Sequence, residues 1–480
     1  MSQTRIWQIA LAATLVVTAM ALVFRAPWRD EYWTLYIAGG DTTWADMLTV
    51  RQMNDIHPPL AYFPLHVWDS WFHNDLAARF LNIFYLAGGF ALAWFAGRDR
   101  PKETALYLFI CATSFWFTFY GVEVRNYALL FGLVVPAVPA ARRAFSGDKF
   151  NLGWLAVWFF LAMAMSFTHY YGTLLVGGTG LVAGVLLALR KRFADFVIVG
   201  VVSVLAVAPT MSWVLAKDFG GTVAEYAVGG TTLAARMEDG SDQFLRGLLL
   251  KTFIANIALT VAAFMAAGRL RKQHERNDAI LLWSMLIVVI LAFASQTAAV
   301  SIKERSFIVI IPPMFYLAAR ALPLAEEKGG FAARAARWAP ILAIATPFLF
   351  IPEHFKDRER LGEVRKSIAA PGTCAGEPML VFYRPTPQSP GFQPWFNNRV
   401  LAPTRGGPPK LIPVEQATPP EVAAVKVSPC PVKGLALSMP RGERQDHIDA
   451  RAAFAKAGLD LSQLDEVNRG EGRSLIFQAR

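Results

Sequence analysis

The chain of 480 residues is poor in charge, with Asp, Glu, Lys and Arg together at 17%, and poor in cysteine, of which there are three. Soluble domains carry roughly 25% charged residues. The shortfall, beside a hydrophobic content of 54%, excludes an ordinary soluble enzyme. Three cysteines without a C-x-x-C pair exclude a disulfide-scaffolded miniprotein and a thiolate zinc or redox centre. Cys111 lies in an apolar run, whereas Cys374 and Cys430 lie in a polar tail, either bridged in an oxidising compartment or left as two buried thiols. The net charge of +11 does not imply nucleic acid as a partner. Many of the cations stand in short clusters between apolar runs, where they set membrane orientation.

What the chain has in quantity is apolar runs of about 20 residues, the length that crosses ~30 Å of hydrocarbon. About eleven recur, near 6–24, 78–97, 103–121, 124–141, 152–169, 171–189, 193–213, 245–267, 278–298, 305–323 and 338–352. The first also has the "AMA" of a secretory cleavage site at Ala19–Ala21, but its apolar run continues to Phe24 and many spans follow. Basic clusters such as "GRDRPK", "ARRAFSGDK", "RKR" and "GRLRKQHER" fall between alternate runs, which places them and the N-terminus with Arg5 in the cytoplasm. The loop 25–77, the turns at Glu123, Tyr170 and Lys303, the loop from Val214 to Phe244 and the tail then share the opposite, periplasmic face.

The expected fold is an all-α polytopic membrane domain over 1–352, followed by a small α/β periplasmic domain over 353–480. Within the first outer loop, "YWTLYIA" and "LAYFPLHVWDSWF" have the aromatic content of helices lying in the membrane interface. In the tail, "PMLVFYR", "PKLIPV" and "SLIFQAR" read as strands and "DHIDARAAFAKAG" as a helix.

Short polar motifs on the outer face carry the chemistry. Asp30 and Glu31 follow Arg29 just beyond the first run. Carboxylates beside hydrocarbon are costly unless paired or wetted, so they either serve a site or solvate a helix end beside Arg25 and Arg29. His57 precedes Pro58 and Pro59, which fix the local backbone, so its ring is either aimed at a site or caps the next helix. Glu123 and Arg125 share a short turn, as site residues or as a structural ion pair. His169 stands at another turn beside Tyr170 and Tyr171, whose phenols suit the interfacial belt. Lys303, Glu304 and Arg305 concentrate cations where outer loops hold few, which points to a bound anion. Acids, histidines and cations on one face suit general-base attack with an anionic leaving group. Sugar nucleotides are cytoplasmic, so a transferase on the outer face needs a donor that has crossed the membrane, such as a polyprenyl-phosphate sugar.

At these motifs the chain resembles the GT-C integral-membrane glycosyltransferases, in the branch of dolichyl-phosphate-mannose protein mannosyltransferases and bacterial lipid A aminoarabinose transferases. "RDE" at Arg29–Glu31, "HPPLAYF" at His57–Phe63, "RFLNIFY" at Arg79–Tyr85, "EVRNYALL" at Glu123–Leu130, "HYYG" at His169–Gly172 and "ERSFIVIIPP" at Glu304–Pro313 occur in the family's order. The resemblance implies inverting transfer of a sugar from polyprenyl phosphate to an acceptor hydroxyl, in the bacterial inner membrane. It implies Asp30 as general base and Glu31 and Glu123 as orienting groups. Arg125, Lys303 and Arg305 would hold the lipid phosphate, with His57, His169 and Tyr170 lining the pocket. The resemblance implies no definite cofactor and leaves a divalent metal on the histidines optional. "ERSF" replaces the family's frequent arginine–tyrosine pair, and the loop from Val214 to Phe244 is too short for the β-trefoil of eukaryotic protein mannosyltransferases. An envelope glycan or lipid is therefore the expected acceptor, with a protein acceptor as the alternative within the class. A glycolipid flippase is the main alternative outside it. Membrane lipids surround either.

Overall fold

In a computed structural model of the protein, residues 3–55, 57–145, 150–217, 233–246, 276–295, 303–328, 330, 334, 348–355, 374–383, 391–401, 408–437, 444–469 and 474–480 are described. The apolar runs among them fold as helices, the only single-segment structure that satisfies its own backbone in lipid. Asp75–Gly97, Asn126–Phe145, Tyr170–Leu189, Phe193–Ala216 and the segment Glu304–Pro323 are long and apolar enough to cross a membrane, with one more span if Gln8–Phe24 and Arg29–Ala38 are counted together. Leu152–Ser166 and Ile280–Ala294 are shorter apolar helices. The chain is a multi-pass membrane protein.

Side-chain caps set several helix starts. The Asn74 carboxamide accepts from the N–H groups of Leu76 and Ala77, that of Asn151 accepts from Trp154, and Pro101 opens the helix Pro101–Ala112. Of the eleven expected spans, 245–267 and 338–352 lie largely outside the described residues. The run 103–121 is not one helix. It stops at Ala112 and resumes as a wide turn over Trp116–Tyr120. Thr113 Oγ1 donates to the Phe109 carbonyl (2.9 Å), Ser114 Oγ donates to that of Cys111 (2.7 Å) and accepts from the N–H of Phe117 (3.2 Å). These side chains compete with the helical ladder and break it.

The chain divides into two compact units, the first formed by Met1–Val23 and Ala38–His354. Among the described residues, Asn126–Phe145 is the most enclosed of the long apolar helices, and it contains Pro136 and Pro139. Proline has no N–H, so the carbonyl of Val135 loses the donor that residue 139 would normally supply. The Tyr107 hydroxyl donates to it instead, at 2.9 Å. Gly132 lets this helix approach Asp75–Gly97 closely: a Cβ there would stand 2.6 Å from the Tyr85 carbonyl oxygen. Toward the helix's C-terminal end, Arg142 grips both oxygens of Asp99, at 2.5 and 2.6 Å.

The second unit joins Phe24–Ile37 to Phe355–Arg480. Its sheet has the order β2-β1-β3-β5-β4, with β1 Pro378–Phe382, β2 Lys410–Pro413, β3 Val432–Ala436, β4 Leu464–Arg469 and β5 Ser474–Ala479. β1 runs parallel to β2 and β3; β5 is antiparallel to β3 and β4. Leu380, Phe382, Val425, Phe454 and Phe477 fill its core. A disulfide joins Cys374 to Cys430, while Cys111 is a buried free thiol. The helix Arg29–Ala38 meets the helix Phe392–Leu401 ring against ring: Tyr32 with Phe396 at 5.3 Å, Trp33 with Phe392 at 4.9 Å and Tyr36 with Trp395 at 5.6 Å.

Candidate functional site

The site of the first unit is built from turns at helix ends. At the first turn, Asp55 Oδ2 accepts from the His57 N–H (3.2 Å) and from the Tyr62 hydroxyl (2.5 Å), while the Gln52 side-chain amide donates to the His57 carbonyl (2.7 Å). Pro58 is extended and Pro59 opens a 3-10 turn, so the backbone around His57 is held on both sides. At the second turn, the Glu123 carbonyl accepts from the Arg125 N–H and from the Asn82 carboxamide, both at 2.7 Å. That arrangement directs Arg125 toward the first turn, where its Nη2 lies 3.1 Å from His57 Nε2.

His169 caps the helix Tyr170–Leu189, its Nδ1 accepting from the Tyr171 N–H at 3.1 Å. Its ring centroid lies 4.9 Å from that of His57 and 6.0 Å from that of Tyr127. The Arg305 guanidinium, carried by the 3-10 segment Glu304–Ile310, lies 5.8 Å over the opposite partner of this ring pair, Tyr127. The neighbouring Glu304 accepts from the Tyr120 hydroxyl at 3.0 Å.

The charges that act on the His57 imidazole are cationic, with Asp55 as an acid in the same cluster. Burial first, and then the positive charges of Arg125, Arg305 and Lys217, hold His57 well below the usual imidazole range. Asp55 is the balancing acid. Burial, with the Asp55 charge behind it, pushes the Tyr62 phenol up. Lys217 follows the helix Phe193–Ala216, is 5% exposed, and its Nζ has no hydrogen-bond partner among the described residues. Burial lowers its basicity and Asp55 partly restores it. Arg125, Arg305 and Lys217 thus bring three positive charges to bear on one imidazole, with Asp55 as an acid in the same cluster.

The structure thus brings together His57, Arg125, His169 and Arg305. Tyr170 follows directly, half-buried, and Glu123 is fully buried with its carbonyl holding the second turn. Lys303 is half-exposed and faces Asp239 across 3.9 Å. Asp30 and Glu31 belong to the second unit, in the first turn of Arg29–Ala38, where a helix N-terminus favours carboxylates. Glu31 is fully buried; Asp30 retains partial exposure. Sequence reasoning missed Lys217 and gave Asp55 no role. Lys217 had a usable mark: it is a cation at the end of an apolar run. Among the described residues no three His, Cys, Asp or Glu side chains converge as a metal site. The His57 and His169 nitrogens described above are already engaged by Arg125 and the Tyr171 N–H.

No protein-family model matches the chain, and no curated protein matches it. Its fold matches the crystal structure of ArnT from Cupriavidus metallidurans bound to undecaprenyl phosphate, with a TM-score of 0.59 at 14% identity, covering 98% of this chain and 97% of that one. The apo state of the same protein matches with a TM-score of 0.58 at 13% identity, over 99% and 98% of the two chains. At such identities the likeness is one of fold. The chain has the fold of ArnT, a GT-C glycosyltransferase, and this fits the class that its ordered motifs resemble.

Proposed function

We propose that the protein transfers a sugar from a polyprenyl-phosphate carrier to a hydroxyl of an envelope glycan or lipid, on the periplasmic face of the bacterial inner membrane. The observation that carries this reading is the cluster of Arg125, Arg305 and Lys217, whose charges act on His57 and of which Arg125 and Lys217 are buried. Such a cluster suits a phosphate at the headgroup plane better than a neutral sugar. The undecaprenyl phosphate bound to ArnT supports the same ligand class. The Cys374–Cys430 disulfide supports an oxidising compartment for the tail. The finer architecture of the reading is about eleven spans with an α/β domain on the outer side.

In the mechanism, Asp30 removes the proton of the acceptor hydroxyl as its oxygen attacks the anomeric carbon. The bond from that carbon to the phosphate oxygen breaks, and the polyprenyl phosphate leaves with the electron pair, inverting the configuration. Arg125, Arg305 and Lys217 stabilise the charge that develops on the leaving oxygen, with Lys303 at the rim. Glu31 and Glu123 orient sugar or acceptor; His57, His169 and Tyr170 line the pocket. Asp30 is favoured over Glu31 as base because it is the less buried of the two.

Purified protein given a radiolabelled polyprenyl-phosphate sugar and envelope acceptors is expected to form labelled glycoside. Asp30→Asn is expected to lose at least about a hundredfold in rate, as for a missing general base. Full activity of that variant removes the assigned base. Scrambling of a fluorescent glycolipid in vesicles without any new glycosidic bond replaces the transferase reading with a flippase.

A further inference from the structure

The contact between Arg125 and His57 fixes more than a position. A guanidinium has hydrogens to give and no lone pair to accept with. The 3.1 Å contact from Arg125 Nη2 therefore makes His57 Nε2 an acceptor. An imidazole that accepts at Nε2 is neutral and carries its hydrogen on Nδ1.

That Nδ1 is buried and has no hydrogen-bond partner among the described residues. The residue is only 6% exposed, so water does not cover the group freely. Buried polar atoms without partners are rare in folded proteins, and leaving one unmade costs about 1–3 kcal/mol. The surroundings give little freedom to relieve it. Asp55 and Gln52 hold the backbone of His57, and the Nδ1 of the adjoining His169 is already accepting from Tyr171. Lys217 Nζ, another buried donor without a hydrogen-bond partner among the described residues, acts on the same imidazole.

We propose that the Nδ1–H of His57 is a hydrogen-bond donor to an oxygen of the bound phosphate ester, and that Arg125 is the positioning residue that holds it in this tautomer. The inference rests on the phosphate reading of the site given above. It assigns His57 neither proton transfer nor metal ligation, and it assigns Arg125 an action through the imidazole.

The test is equilibrium binding of undecaprenyl monophosphate to the full-length protein in detergent. Asparagine places an amide N–H near the position of Nδ1, whereas glutamine places its amide near Nε2. His57→Asn is expected to bind within about threefold of the unsubstituted protein, and His57→Gln to bind at least about tenfold more weakly, the scale of one lost hydrogen bond to a charged group. Equal affinity of the two variants, or the reverse order, overturns the proposal. So does loss of wild-type binding on treatment with a chelator, which would make His57 a metal ligand.

If either variant fails to fold, a ¹⁵N-histidine spectrum of the unsubstituted protein decides the matter. A protonated Nδ1 and bare Nε2 for His57, with the Nδ1 resonance moved by the lipid, support the proposal; hydrogen on Nε2 contradicts it. Failure of the folded, unsubstituted protein to bind undecaprenyl monophosphate is a separate outcome, which defeats the phosphate reading itself and the inference with it.

Discussion

Lys217 and Arg305 are, with Arg125, the cations on which the phosphate assignment rests. Charge-assisted hydrogen bonds contribute about 1.5–3 kcal/mol each. Lys217→Ala or Arg305→Ala is therefore expected to weaken polyprenyl-phosphate binding by roughly ten- to a hundredfold, measured by equilibrium titration. Unchanged affinity in both would show that the phosphate sits elsewhere. Proton linkage gives a second residue-scale prediction. His57 is held below its usual range by burial and by Arg125, Arg305 and Lys217, with Asp55 and His169 beside it. A depressed folded value means that the unfolded chain takes the proton first. The contribution is fully present above about pH 6.5 and is lost as the pH falls toward the folded value, at up to about 1.4 kcal/mol per unit. The thermal midpoint in detergent should fall between pH 7 and pH 5, and His57→Asn should flatten that fall. An unchanged slope would show that His57 does not carry the linkage. His57, Arg125, His169 and Arg305 were legible because each stands in a short polar turn between oily runs. Lys217 was marked only as a cation at the end of an apolar run; its action on His57 was not legible, because it depends on two segments far apart in the sequence.

At the scale of elements, the helix Asn126–Phe145 shows what a chain must supply when it places proline inside a span. The Tyr107 hydroxyl on the carbonyl of Val135 replaces the donor that Pro139 lacks. Tyr107→Phe keeps the ring and removes that donor, leaving a buried carbonyl short of a partner. The expected loss is about 1–3 kcal/mol of stability, read as a lower thermal midpoint; no change would mean that the carbonyl finds another donor. Gly132→Leu tests the close helix contact, because backbone rather than a flexible side chain meets the added atoms. Helices were legible from apolar runs alone. Their interruptions were not: "CATSFWFTFYG" reads as one continuous span, and it breaks where the hydroxyls of Thr113, Ser114 and Thr118 turn back onto their own backbone. Proline made the opposite error available, since Pro136 and Pro139 suggest a break where the helix runs on.

At the scale of the whole molecule, the helix that carries Asp30 and Glu31 belongs with the C-terminal unit, not with the helices that follow it in sequence. The aromatic contacts to Phe392, Trp395 and Phe396 are what the order of motifs could not reveal. Phe392→Ala with Phe396→Ala is expected to lower transfer by at least about tenfold, through loss of roughly 3 kcal/mol or more of core packing around the acidic helix, in a rate assay. Retained activity would separate that helix from the role given to Asp30. The disulfide closes a loop with a sequence separation of 56, for which the chain-entropy model gives about 4 kcal/mol. Cys430→Ala should therefore loosen the tail, read as faster proteolysis after residue 374; an unchanged digestion pattern would contradict this. The tail's strands and the presence of both cysteines were legible, because alternation and polarity are local. Which segment the tail holds depends on packing between residues more than three hundred positions apart, and a linear pattern carries no record of it.

The most direct test of the central claim is an experimental structure of the protein with undecaprenyl phosphate bound. The account predicts the phosphate within hydrogen-bond reach of Lys217, Arg305 and the Nδ1 of His57. A phosphate bound away from all three would contradict it.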